Sequence, residues 1–356
     1  MKIAVIGSQG VPANYGGFES LVENLIGENC PTNVEYTIFC SSKDMPDRRK
    51  EYKGATLKYV GLHANGAQSV IYDMASMCLA MRGYDVILIL GVSGCLFIPV
   101  LRLFCRSKII VNIDGLEHRR AKWGKMAKWI LKLSEALAVK YSDIVVADNQ
   151  GIQDYVSETY NHPSQLIAYG GDHVKRDISE NFIAETLTQY SLNRGKYAIT
   201  VCRIEPENNS HIILKAFSKS EIPLVFIGNW NHSDYSRSLK NEYQGFENIK
   251  LIDAIYNLDI LYALRSNAGI YIHGHSAGGT NPSLVEAMFF GIPIIAYDVV
   301  YNRETTENKA YYFKSAGDIQ SHLSSPSLSG EIMAEIAMRR YTWKHISAQY
   351  CKLYPI

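Results

Sequence analysis

A charge excess of either sign is missing from this chain: 36 Lys and Arg stand against 35 Asp and Glu, for a net charge of +1. A duplex-binding protein carries a strong basic excess, so nucleic acid is excluded as a partner for the surface as a whole. Cysteine is sparse, with 7 residues and no C-x-x-C pair. An odd count without a paired framework argues against a disulfide scaffold and for a reducing compartment. No apolar run suits a bilayer span. The strongest one, residues 86–104, is broken by glycines, a serine and a proline before it meets Arg102, and it reads as strand, turn and buried helix. The N-terminal apolar run stops at Gly7, too early for a signal-peptide core. The expected location is cytoplasmic. Short-period repeats and low-complexity segments are also missing.

What is present is globular. At 47% hydrophobic residues over 356 positions, the chain can build two domains, each with its own core. Short apolar runs alternate with helical patterns, the form taken by a parallel sheet with crossover helices. Strands are expected at 2–7, 35–40, 56–60, 86–90, 108–113, 144–147 and 166–168. The pattern pauses at "AYGGDHV" (168–174) and restarts with strands at 197–203, 223–227, 249–251, 269–273 and 293–297. Helices are expected at 18–26, 70–81, 210–218, 255–263 and 282–289. The fold class is therefore α/β, with domains at 1–171 and 172–338. A helix-compatible aromatic tail, 339–356, is expected to pack back on the first domain.

Three segments carry chemistry. In "HGHSAGGTNPSLVEAM" (273–288), Asn281 suits an N-cap and Pro282 the first helical position. The helix then points its amide groups at Gly278 and Gly279, where no side chain blocks a phosphate or a sugar, and it carries Glu286 one turn in. An ordinary strand–loop–helix turn is the alternative. In "GSQGVPANYGGFESLVENL" (7–25), Gly16 and Gly17 precede a second helix. The loop is too long for G-x-G-x-x-G, and no acid ends the second strand, which counts against a nicotinamide enzyme. In "VCRIEPENN" (201–209), Arg203 follows a strand and can pair with phosphate oxygens, or with Glu205 or Glu207 instead. His273-x-His275 suits a pocket lining better than a zinc site.

Residues 118–140 are locally basic. Arg119, Arg120, Lys122, Lys125, Lys128, Lys132 and Lys140 face a single acid, Glu135. Met126, Ile130, Leu133 and Leu137 form an apolar stripe beside the lysines, and Trp123 and Trp129 lie among them. The pattern suits an anionic membrane surface, or else a solvated basic face on a core helix.

Taken in order, "PANYGGFESLVENL", "IDGLEHRRAKW", "CRIEPENN", "HSAGGTNPSLVEAMFFGIPIIA" and "YTWKHI" resemble the GT-B glycosyltransferases of family 4. These are retaining enzymes that use nucleotide-sugar donors. The likeness spans nearly the whole chain, and "GGTNPSLVEAM" and "EPENN" look most like the bacterial branch that includes rhamnosyltransferases of polysaccharide assembly.

The resemblance implies two Rossmann-like domains facing an interdomain cleft, the first on the acceptor side and the second holding the nucleotide sugar. It implies that Glu286 binds donor ribose hydroxyls while Gly279, Thr280 and Asn281 line the sugar and diphosphate. The family's first acid, eight positions before Glu286, is Gly278 here, which favours a 6-deoxy sugar such as rhamnose over a glucose-like donor. The family's phosphate-binding Arg and Lys map to Arg203 and Asn208, and Gly16 and Gly17 join the donor site.

The family's acceptor-side histidine maps to Asp114, which orients or deprotonates an acceptor hydroxyl or else serves as a turn residue. His118 is the alternative base. With Arg119, Arg120, Lys122, Trp123 and Lys125 it makes up the expected acceptor or membrane side. No cofactor or metal is expected. The donor is expected to be of dTDP or UDP type and the acceptor a polyprenyl-diphosphate-linked saccharide of capsule or O-antigen assembly, with peripheral contact to an anionic membrane. The alternatives are a GT-B sugar-nucleotide epimerase and a non-catalytic nucleotide-sugar-binding protein.

Overall fold

The computed structural model describes residues 1–13, 16–27, 33–119, 123–325 and 329–355. The chain divides into two units, Met1–Tyr169 with Trp343–Ile356, and Gly170–Thr342. Among the described residues no helix is long and apolar enough to cross a membrane.

The first unit holds β1 (Lys2–Ile6), β2 (Glu35–Ser41), β3 (Glu51–Tyr52), β4 (Ala55–Val60), β5 (Val86–Leu90), β6 (Lys108–Asn112), β7 (Ile144–Ala147) and β8 (Gln165–Leu166). They form one sheet in the order β3-β4-β2-β1-β5-β6-β7-β8. Every pairing is parallel except β3 with β4, a hairpin turned by Lys53 and Gly54, both at positive φ. This two-residue strand leaves no periodic signal in the sequence. All five residues of β5 are buried, because crossover helices cover both faces of such a sheet.

The helix Trp343–Leu353 belongs to this unit. Its buried Trp343, Ile346 and Tyr350 recur at three- and four-residue spacing and join the core around β1 and β5. Polar contacts fix it in place: Asn112 Nδ2 donates to Tyr350 Oη at 2.8 Å, and Lys108 Nζ donates to the Leu353 carbonyl at 2.7 Å.

The second unit holds β9 (Ala198–Val201), β10 (Leu224–Ile227), β11 (Ile249–Ile252), β12 (Ile270–His273), β13 (Ile294–Tyr297) and β14 (Tyr311–Phe313). Their order is β11-β10-β9-β12-β13-β14, all parallel. The sequence reading has no strand at β14, whose three residues are too few to show alternation. In both sheets the first strand of the unit has its successor on one side and a later strand on the other. The order therefore reverses between β1 and β5, and again between β9 and β12. Open α/β sheets bind ligands beyond the carboxyl ends of their strands at such reversals.

One expectation about a helix face changes, and a second face is decided by packing. The helix Ile98–Phe104 is not wholly buried, since Leu103 is 77% and Phe104 64% exposed. In the helix Lys125–Tyr141 the buried residues are Leu131, Ser134, Glu135, Ala138 and Val139. Of the apolar stripe, Met126 is 78% and Leu133 39% exposed while Ile130 and Leu137 are half-buried, and Trp129 beside it is 66% exposed. Periodicity marks two faces of a helix, and only packing decides which one meets water.

Candidate functional site

In the second unit the segments after β9 and β12 leave at the reversal point and are stitched together. Asn209 Nδ2 donates to the Gly274 carbonyl at 2.8 Å. Ser276 donates to the Glu207 carbonyl through its amide at 2.8 Å and its hydroxyl at 2.9 Å. A Cβ on Gly274 would lie 2.0 Å from the Asn208 carbonyl oxygen, so only glycine permits this approach.

Asn208 is expected among the donor contacts. Its buried amide instead bridges the two segments, with Nδ2 donating to the Arg203 carbonyl at 2.8 Å and Oδ1 paired with His275 Nδ1 at 2.7 Å. It thereby fixes the backbone from which Arg203 projects. The Arg203 side chain is 42% exposed, and its Nη1 lies 3.6 Å from Glu205 Oε1. A pair that long and that open contributes little to stability.

His273, at the end of β12, is buried and stacks on Tyr271 with ring centres 6.2 Å apart. Burial, with His275 beside it, keeps its imidazole neutral. Gly278 adopts φ +77°, which disfavours any side chain there. Asn281 caps the helix Pro282–Met288, its Oδ1 accepting from the Ser283 amide at 3.0 Å and the Ser283 hydroxyl at 2.7 Å. Thr280 is buried just before the cap, while Gly279 is part-exposed.

Glu286 is the electrostatic centre of this unit's site. Its Oε2 accepts from Arg265 Nη1 at 2.7 Å, and its Oε1 lies 3.5 Å from His173 Nε2. Burial pushes the carboxyl pKa up, yet the Arg265 guanidinium and His173 outweigh it and hold it at about 2. Glu286 is therefore a fixed carboxylate, 17% exposed, with lone pairs left for hydroxyl donors.

Sequence reasoning misses both partners. Arg265 follows the buried Ala263 and Leu264 in the last turn of the helix Leu258–Ser266, which is the one available signal. His173 lies in the segment read as a linker. A Cβ on Gly171 would come within 2.9 Å of Val285 and 3.1 Å of the Glu286 amide nitrogen. That glycine lets the segment lie against the Glu286 helix.

The first unit has its own loop at the β1–β5 reversal. Gly7 sits at φ +100°, and a Cβ there would meet the Leu90 carbonyl oxygen at 2.0 Å. The loop is drawn onto the helix Gly17–Leu25 by two carboxylates. Glu19 Oε1 accepts from the Gln9 amide at 2.7 Å, and Glu23 Oε2 from the Ala13 amide at 2.6 Å. Burial raises the Glu19 pKa, against the pull of the Gln9 amide. Gly16 adopts φ +107°, and a Cβ on it would fall 2.2 Å from Glu19 Oε2. The Gly16–Gly17 end of the helix thus already faces a carboxyl group. That weakens its suitability as a second seat for diphosphate.

Asp114 follows β6 at φ 54°, a left-handed conformation that is costly for a residue with a side chain. Asn112 Oδ1 accepts from its amide at 3.0 Å, and Tyr169 Oη donates to its Oδ1 at 3.3 Å. His118 lies four residues on, in a short turn, with Nδ1 3.0 Å from buried Glu135. Trp123 Nε1 donates to Glu117 at 2.9 Å, and Arg119 lies over the Tyr155 ring at 4.9 Å. Lys125 is exposed, while Arg120 and Lys122 lie outside the described residues.

Residues 186–321 match the family described as glycosyl transferases group 1. That match lies wholly within the second unit. Residues 1–172 match a domain of unknown function, DUF1972. No curated protein matches the chain.

Among solved structures it resembles sucrose-phosphate synthase from Thermosynechococcus elongatus, at 17% identity and TM-score 0.81, covering 99% of this chain and 98% of that one. HepE of Anabaena, in complex with UDP-glucose, matches at 14% identity and TM-score 0.75 over 99% of both chains. MnaA of S. aureus with UDP matches at 13% identity and TM-score 0.67, over 98% of this chain and 94% of that one. The architecture is the GT-B fold: an α/β chain with two parallel-sheet units.

Proposed function

We propose that this protein transfers a sugar from a nucleoside-diphosphate donor to a lipid-linked saccharide acceptor with retention of configuration. The group 1 domain, together with neighbours solved with UDP or UDP-glucose, supports nucleotide-sugar glycosyl transfer. The observation that carries the reading is Glu286 held as a carboxylate beside a strand-order reversal. Glu286 accepts the ribose hydroxyls, while Arg203 and the 278–281 loop take the diphosphate. As the bond from the sugar to the diphosphate breaks, charge builds on phosphate oxygens, and Arg203 stabilises it. The acceptor hydroxyl, oriented on the first unit by Asp114, attacks the anomeric carbon from the same face and gives its proton to an oxygen of the leaving diphosphate. Gly278 stands where an acid would hold hydroxyls of a glucose-like sugar, which favours rhamnose or another deoxy sugar on a dTDP or UDP carrier.

The outward faces of two packed helices support contact with an anionic membrane leaflet. Val100, Leu103, Phe104, Met126, Trp129 and Leu133 are exposed apolar side chains there. Lys125, Lys140 and Arg106 are exposed on the same two helices and the turn that follows the first. An apolar strip bordered by cations matches the boundary between acyl chains and acidic headgroups. A role in capsule or O-antigen assembly follows from such an acceptor.

The test is direct. Binding of UDP, dTDP, GDP and ADP is measured by thermal shift, then release of nucleoside diphosphate with lipid-linked acceptors. Stabilisation by a pyrimidine nucleotide and acceptor-dependent release are expected. Binding without release under any pairing contradicts the transferase reading.

A further inference from the structure

One buried, heavily partnered acid of the first unit lies outside every role assigned so far. Glu135 is 2% exposed in the middle of the helix Lys125–Tyr141, and four side chains converge on it. Tyr155 and Tyr160 both donate to Oε1 at 2.6 Å, and Lys132 Nζ donates to the same oxygen at 3.3 Å. Oε2 faces His118 Nδ1 at 3.0 Å.

Binding the helix Lys125–Tyr141 to the helix Gln150–Tyr160 requires only the contacts on Oε1. The second oxygen is kept for the histidine. A carboxylate that accepts from two phenols and an ammonium has no hydrogen to give, so Nδ1 must be the donor. The neutral imidazole then carries its lone pair on Nε2. Burial pushes the imidazole pKa down, and Lys132 and Arg119 act in the same direction against Glu135. Among the described residues, Tyr155, whose ring both cations overlie at 4.6 and 4.9 Å, also faces the imidazole. Among the described residues no group bonds Nε2.

We propose that Glu135 is a positioning residue: it locks His118 in the tautomer whose Nε2 accepts a hydrogen bond from a hydroxyl of the acceptor sugar. The inference rests on the acceptor-side reading above and extends it. His118 sits four residues beyond Asp114, past the carboxyl end of β6, where the sheet presents its ligand-facing loops. Glu135 fixes which end of the ring is the acceptor, and the two tyrosines and Lys132 fix Glu135. A hydroxyl-bearing ligand is the chemistry this nitrogen selects, since a ligand offering only acceptor oxygens would meet lone pair against lone pair.

The experiment uses the full chain with 15N-labelled histidine, the His118 signal being assigned by its loss in His118→Gln. At neutral pH the wild type is expected to show a protonated Nδ1 and an unprotonated Nε2. Glu135→Gln is expected to mix the tautomers and to raise the acceptor KM about tenfold, with the donor KM unchanged. A merely structural Glu135 would lower stability and leave both the tautomer and the ratio of the two KM values alone.

The wild-type spectrum tests the lock even if Glu135→Gln does not fold: a protonated Nε2 overturns the proposal. So does a variant with mixed tautomers and an unaltered acceptor KM. A wild-type protein that binds nucleotide yet transfers no sugar strikes the glycosyltransferase reading first and this proposal with it, so the two failures are told apart.

Discussion

Arg265 and Glu286 form a short ion pair, Nη1 to Oε2 at 2.7 Å, between side chains 4% and 17% exposed. Twenty-one residues apart, they join the helix before β12 to the helix after it, at the strand-order reversal of the second unit. Among the described residues Arg265 Nε is buried without a hydrogen-bond partner.

Removing that partner leaves a buried charge. Arg265→Met is expected to destabilise the protein by about 3–5 kcal/mol, the usual cost of stranding one half of a buried pair. Nucleotide affinity should fall with it. Denaturant unfolding and calorimetric titration with UDP check both.

The same pair sets an acid limit. Glu286 has its pKa lowered from 4.5 to about 2, so its contribution is fully present above the unfolded value and is lost as pH falls toward 2. The total is about 3 kcal/mol. Glu286→Gln should flatten the stability curve between pH 5 and pH 2, measured by urea unfolding across that window. A variant curve parallel to the wild type would refute the assignment.

Arg203 lies at the other side of the reversal and is largely open to solvent. Arg203→Ala is expected to change stability by less than about 0.5 kcal/mol while lowering kcat about 10²- to 10³-fold, as the loss of one charge-stabilising donor does. Transfer at the wild-type rate would remove Arg203 from the mechanism.

Gly274 tests the stitching of the two loops. A methyl group there meets the Asn208 carbonyl oxygen at 2.0 Å, and that oxygen belongs to the backbone, which cannot swing aside. Gly274→Ala should cost about 1–3 kcal/mol and displace the Arg203 turn. Melting temperature and activity are expected to fall together.

The membrane face is checked by sedimentation with vesicles rich in phosphatidylglycerol. Binding should weaken with salt, since each lysine near the surface contributes about 1 kcal/mol. Trp129→Ala, which removes a 66% exposed ring, should weaken it without altering nucleotide binding. A wild-type protein that stays in the supernatant at low salt contradicts the surface.

The strand pattern was legible because buried parallel strands are nearly continuous apolar runs; "VILIL" at β5 is wholly buried, and the pause at 168–174 coincides with the change of unit. The shortest pieces, β3 and β14, were not, since two or three residues show no period. The loop glycines and the Asn281-Pro282 start were legible too, each answering a steric or hydrogen-bonding demand of the local backbone. The stripe on the helix Lys125–Tyr141 was legible as a period, while its exposure at Met126 and Leu133 was not.

The α/β alternation, the places where the chain must turn, and the residues able to start each helix are all local properties of the chain. Those demands are met within a few consecutive residues, so the order of letters contains them. Only the tertiary structure decided that Arg265 and His173 hold Glu286 ionised, that Asn208 serves the turn, and that Glu135 faces His118. Those depend on through-space distances between groups far apart along the chain, and charge and proton position are set by those distances.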